Sequence, residues 1–124
     1  MLTGPDDTNR IDRIAAVLAT LTTLHCVLAP FLPSALGGEA SHAVAAMACM
    51  ATSVPACVRG WSAHGDARVW AWALPGWALL GLARLASGER LGEAGEVVAT
   101  VIAGVLLVVA HQLNRSLAYW HDRE

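Results

Sequence analysis

His25 and Cys26 stand side by side within an uncharged run that extends from Ile14 to Gly38, and Pro30 follows four residues after the cysteine. Imidazole and thiolate are ligands for soft or borderline metal cations, whereas carboxylate and carbonyl oxygens suit hard ones. Ionisable groups are expensive at membrane depth, so they face a bundle interior or an ion path and are candidates for function by default. Pro30 also lacks the N–H that would bond the carbonyl of Cys26. This short stretch therefore offers an imidazole, a thiol and a free backbone oxygen.

Other residues of the same chemistry recur at helical spacing. Thr22 shares one helix side with His25 and Cys26, and Cys49, Ser53 and Cys57 form an i, i+4, i+8 line. Further on, Thr100, Gly104, Leu107, His111 and Asn114 follow a three-four rhythm. With a rise of about 1.5 Å per residue, counting from Ile14 and from Gly60 puts His25, Cys26 and Cys49 at one mid-membrane level. Cys57 and His111 then fall on a second level near the opposite end, with Asn114 one turn below. His25, Cys26, Cys49, Cys57 and His111 are the candidate metal ligands, with Thr22 and Asn114 as supporting polar groups. The competing reading is structural. Small and weakly polar residues on helix faces are also what helix packing in lipid requires.

The elements that must position these residues follow from composition. Of 124 residues, 56% are hydrophobic and only 15% charged, mean hydropathy is +0.50, and the apolar residues come in long blocks. A soluble helix would instead carry charge along its outer face. Four blocks, at about 14–33, 42–60, 69–86 and 97–114, approach the roughly 20 residues needed to cross a bilayer. The expected fold is all-α, an integral membrane bundle of four transmembrane helices, with residues 1–124 forming one domain. Short connections make successive helices antiparallel. Arginines 10, 13, 59, 68, 115 and 123 fall on one side and only Arg84 and Arg90 on the other, so the positive-inside rule places both termini in the cytoplasm. The first block is too long for a signal-peptide core and follows Asp6 and Asp7, so it is expected to be retained.

Several functions are disfavoured. A net charge of −2 with no basic patch gives nucleic-acid binding no support. Three cysteines, all within the spans, read as thiols rather than a disulfide framework. No carboxylate falls inside a predicted span, which turns the reading away from hard cations and proton relays. No Ser/His/Asp set has an evident acid partner, so no enzyme is expected. Arg84 is expected to snorkel toward its loop, and His42, His64 and His121 to be solvated. The third span, with Pro75, Gly76 and its tryptophans, reads as a packing helix. Glu89, Glu93 and Glu96 share one face before the fourth span, either serving its helix dipole or forming a cation-attracting mouth.

The order of motifs resembles a known family. An Asp-Arg-Ile start at Asp12, Leu-His-Cys-x-Leu-x-Pro in the first span, a tryptophan-bearing third span and Ala-His-x-Leu-Asn-Arg at residues 110–115 are similar to the MerC-domain proteins. The resemblance covers residues from about 12 to 115. It implies a four-helix protein of the bacterial inner membrane that moves Hg(II) inward between thiols, with the metal as transported ligand and no firmly expected cofactor. Mercury-transporting members carry adjacent cysteines where this chain has His25-Cys26, so the thiol role there falls to Cys26 alone. The tail, SLAYWHDRE, has no counterpart of their cytoplasmic cysteine pair.

Two functions are carried forward. The first is a transporter of mercuric ion or another thiophilic heavy-metal cation through the intramembrane Cys and His ligands. Its partners are the lipid bilayer and the cation, with a homo-oligomer or a cytosolic thiol acceptor as further candidates. The alternative is a non-transporting membrane protein, a metal-responsive or partner-binding subunit whose His and Cys residues are structural.

Overall fold

The computed structural model describes residues 5–28, 38–85 and 92–121. Pro30, expected to free the carbonyl of Cys26, and Glu89 of the acidic face lie outside these residues. Four helices account for the described chain: α1 (Pro5–Leu28), α2 (Glu39–His64), α3 (Arg68–Leu85) and α4 (Gly92–His121). By length and composition α1 from Arg10, α2 from Ala40, and α4 can each cross a membrane. The shorter α3 has an arginine near each end and three tryptophans that dilute its apolar character.

The distribution of side chains is that of a chain solvated by lipid. Large apolar groups such as Leu21, Leu24, Met47, Leu74 and Val105 point outward, while the interior is built from alanines and small polar residues. One interior cluster comprises Ala19, Ala46, Cys49, Leu80, Ala103 and Leu107, and a second Cys57, Val69, Ala73 and Ala110. Lipid tails are as apolar as leucine, so helices gain by close packing of small residues rather than by hiding large ones. At Gly104 a Cβ would come within 1.8 Å of Thr23 Oγ1, and at Gly60 within 2.0 Å of Asn114 Oδ1. Both are points where only glycine fits without movement.

Helices α2 and α4 each pack against the other three, whereas α1 and α3 make no packing contact among the described residues. The α2/α4 pair is therefore the spine, with α1 and α3 on either side. Helix α2 ends where Gly65 adopts a left-handed conformation and its N–H bonds the carbonyl of Trp61 at 2.8 Å, the usual glycine stop. Asp66 accepts the backbone N–H of Arg68 and opens α3 two residues later.

Helix limits differ from the hydropathy spans in one consequential way. Helix α1 begins at Pro5 rather than near Ile14, with proline tolerated in a first turn that needs no N–H. This shifts α1 against α2 by about two turns. The shift is fixed by Thr22 Oγ1 donating to the carbonyl of Ala45 at 3.4 Å and by His25 meeting Ser41 at 3.3 Å. Helix α4 likewise extends beyond 97–114 at both ends, since Glu93, Arg115 and Ser116 leave the apolar window without breaking a helix.

Candidate functional site

Polar side chains gather at the two ends of the helices. At the end remote from the termini, His25 on α1 and His42 on α2 meet edge to face, with ring centroids 5.0 Å apart. Ser41 donates its hydroxyl proton to the carbonyl of Gly38 at 2.6 Å, so His25 Nε2 donates to Ser41 Oγ and Nδ1 carries the ring's lone pair. His42 Nδ1 lies 3.6 Å from Glu96 Oε1 on α4. Glu96 is in turn paired with Arg84 of α3, and Arg84 reaches Thr100 Oγ1 at 3.5 Å.

Cys26 is 3% exposed, and Arg84, Glu96 and Thr100 are its polar surroundings. Thus all four helices contribute to this mouth. Arg84, expected to snorkel, has a side chain only 18% exposed and is paired with Glu96. His42, expected to be solvated, has a side chain only 15% exposed, and its Nε2 is buried without a hydrogen-bond partner.

The mid-level set expected from depth counting is not assembled. Cys49 lies in the apolar cluster beside Ala19 and Ala46, roughly 10 Å along the helix axis from Cys26 once the register of α1 is corrected. Thr22 is buried and bonded to Ala45 instead of facing a metal. Among the described residues, no three His, Cys, Asp or Glu side chains converge as a metal cage.

The other end holds a network that sequence reasoning missed. Asp12 is completely buried, contrary to the expectation that no carboxylate lies within a span. Its Oδ1 accepts from His111 Nδ1 at 2.8 Å and its Oδ2 from Asn114 Nδ2 at 2.7 Å. His111 Nε2 lies 2.8 Å from Ser53 Oγ, which also accepts from Trp77 Nε1 at 2.9 Å. Asn114 Nδ2 donates a second bond to the carbonyl of Ala56 at 3.2 Å, and its Oδ1 lies 2.8 Å from His64 Nε2. His64 Nδ1 accepts the N–H of Asp66 at 3.0 Å, so its other nitrogen donates. His64 is thereby half-buried in the structure and not a solvated loop residue.

Residues of α1, α2, α3 and α4 are all joined in this network, and every polar atom of Asp12, His111 and Asn114 has a partner. With both ring nitrogens committed, His111 has no lone pair to offer a metal. Cys57 lies one turn from Ser53 and packs with Val69, Ala73 and Ala110. The level expected to hold Cys57 and His111 as ligands thus contains this hydrogen-bond network, with Cys57 in the apolar cluster beside it. Its Asp-His-Ser order has the polarity of an acyl-transfer triad, but Ser53 is wholly buried and accepts an indole N–H. A substrate has no route to its hydroxyl.

Outside the membrane segments, Arg68 holds the Asp66 carboxyl down at about 2 through its guanidinium and its backbone N–H. This pair staples the turn between α2 and α3.

A family model described as MerC mercury resistance protein matches residues 12–116. No curated protein and no solved structure matches the chain.

Proposed function

The chain belongs to the MerC mercury resistance family, is a multi-pass membrane protein by its spans, and from that premise we propose that it carries mercuric ion or another thiophilic cation inward through Cys26. The observation that supports this reading is the four-helix mouth around that thiol. A cation arriving at this end meets Glu96, His42 and His25 before the sulfur. Thiolate, not thiol, is the form that binds metal, and Arg84, paired with Glu96, is the positive charge beside Cys26. When a soft cation replaces the thiol proton, the Arg84–Glu96 pair is the contact that must rearrange to admit it.

From Cys26 the next thiol inward is Cys49, in an otherwise apolar layer. Movement between them takes the metal across roughly 10 Å, so the hand-over needs a helix shift or an acceptor thiol from outside the chain. The buried network at the far end is read as non-catalytic and structural, the part that stays fixed while the mouth changes.

The deciding experiment is uptake of Hg(II) by cells or proteoliposomes. Cys26→Ser should abolish most of it, Cys49→Ser should slow it, and His111→Gln should act through the amount of folded protein. If the Cys26→Ser, Cys49→Ser double variant transports as the wild type does, the thiol route is wrong. A non-transporting subunit is the second reading, favoured at one position by the full engagement of His111 with protein partners. In that case uptake would be indifferent to expression of the protein.

A further inference from the structure

A furrow runs along the outer surface between α1 and α4, starting at the end where both termini lie. Its mouth is a recess of 460 Å³ bordered by Arg13, Gln112, Arg115, Ser116 and Tyr119. The next recess shares Arg13, Gln112 and Arg115 with the mouth and continues past Val17 and Leu21. A third shares Thr20 and Val108 with the second and ends at Leu24 and Gly104. The three are one continuous groove. From Arg13 to Leu24, and from Arg115 to Gly104, it spans roughly 16 Å, about the hydrocarbon depth of one leaflet.

The chemistry changes along its length. At the mouth, neither Arg13 nor Arg115 is paired with a carboxylate among the described residues. Arg115 Nη1 donates to Gln112 at 3.1 Å, and its Nε is buried with no hydrogen-bond partner. Farther in, the walls are apolar, because Thr20 and Thr23 turn their hydroxyls back to the carbonyls of Ala16 and Ala19 at 2.9 Å. Gly104 forms the floor, where α1 and α4 approach too closely for a side chain.

Two arginines without a carboxylate partner among the described residues therefore sit at headgroup level above a leaflet-deep apolar channel. We propose that this groove is a binding site for one anionic glycerophospholipid, its phosphodiester held by Arg13 and Arg115 and one acyl chain laid between α1 and α4. Basic recesses between transmembrane helices are suited to such headgroups, and each arginine near the surface adds attraction for anionic lipid. A zwitterionic lipid fills the same channel but gains less from the two charges, because its own cation offsets its phosphate.

The test is native mass spectrometry, with thermal unfolding in parallel, of the full chain in mild detergent. The probes are dioleoyl-phosphatidylglycerol, dioleoyl-phosphatidylcholine and inorganic phosphate. Wild type should retain the glycerol lipid roughly tenfold to thirtyfold better than the choline lipid. The Arg13→Gln, Arg115→Gln double variant should lose that preference with unchanged helix content. Thr20→Trp, which fills the channel and leaves both arginines in place, should lose retention of the glycerol lipid. Equal retention of both lipids by wild type would overturn the proposal. So would protection by phosphate alone equal to that by the glycerol lipid, or binding undiminished in Thr20→Trp. Metal transport plays no part in these readouts, so the outcome is independent of the route through Cys26.

Discussion

Asp12, which metal-ligand chemistry does not single out, joins the first helix to His111 and Asn114 of the last. It receives the Nδ1 proton of His111 and an amide proton of Asn114 in a site closed to solvent. Removing one partner of a buried polar pair leaves the others unsatisfied, at a cost of about 3–5 kcal/mol. Asp12→Ala should lower stability by that order, measured by denaturant unfolding in detergent micelles, and Ser53→Ala by about 1–3 kcal/mol through loss of the His111 and Trp77 bonds. The loop carboxylate Asp66 behaves differently. Its folded value of about 2 lies below the ordinary 3.8, so its contribution is present at neutral pH and is lost as pH falls through the range between them. Asp66→Asn should flatten that part of the acid limb in a pH series of melting temperatures. The wild-type curve should retain its slope there.

At the scale of the element, register decides which polar residues meet. Hydropathy located the interiors of α1, α2 and α4, because runs without charge are visible in composition. It misplaced the start of α1, since Asp12 and Arg13 close the apolar window although the helix continues back to Pro5. A helix whose polar residue is bonded internally does not stop for it. The hydropathy window therefore leaves Asp12 outside the membrane segment and sets Cys49 level with His25. The spacing of His111 and Asn114 was legible as one face, but its meaning required a partner 99 residues away. The sequence signal for that partner is the Asp-Arg-Ile start at Asp12, a motif of the family resemblance. Close approach adds a further test. Gly60→Ala would drive a methyl group to within 2.0 Å of Asn114 Oδ1 and displace that amide from Asp12 and His64, so a loss of about 1–3 kcal/mol is expected. Cys57→Ala, by contrast, removes a small group from an apolar cluster and should leave Asn114 in place, seen as an unchanged melting profile within about 1 kcal/mol.

For the whole molecule, the inside is small and polar and the outside large and apolar. Leu80 and Leu107 are the large aliphatic side chains buried in the first cluster, while the surface carries a broad coat of leucine, valine and tryptophan. This arrangement divides the labour between ends. The Cys26 mouth includes an unpartnered His42 nitrogen, whereas every polar atom of Asp12, His111 and Asn114 is satisfied. Hydrogen exchange should reflect the difference, with slower exchange around Ser53, Ala56 and His111 than around Ser41 and Glu96. Sequence made the membrane class, the helix number and the family legible. The side of the molecule holding its tightest polar packing was hidden, because that depends on three helices converging on a residue outside the hydropathy window.

The distance in sequence between Asp12 and His111 has a consequence for biogenesis. The first helix reaches the insertion machinery with a carboxylate whose imidazole and amide partners have not yet been synthesised. Until α4 emerges, the Asp12 carboxyl group lacks both of its side-chain hydrogen-bond donors, and completion of the last helix supplies them.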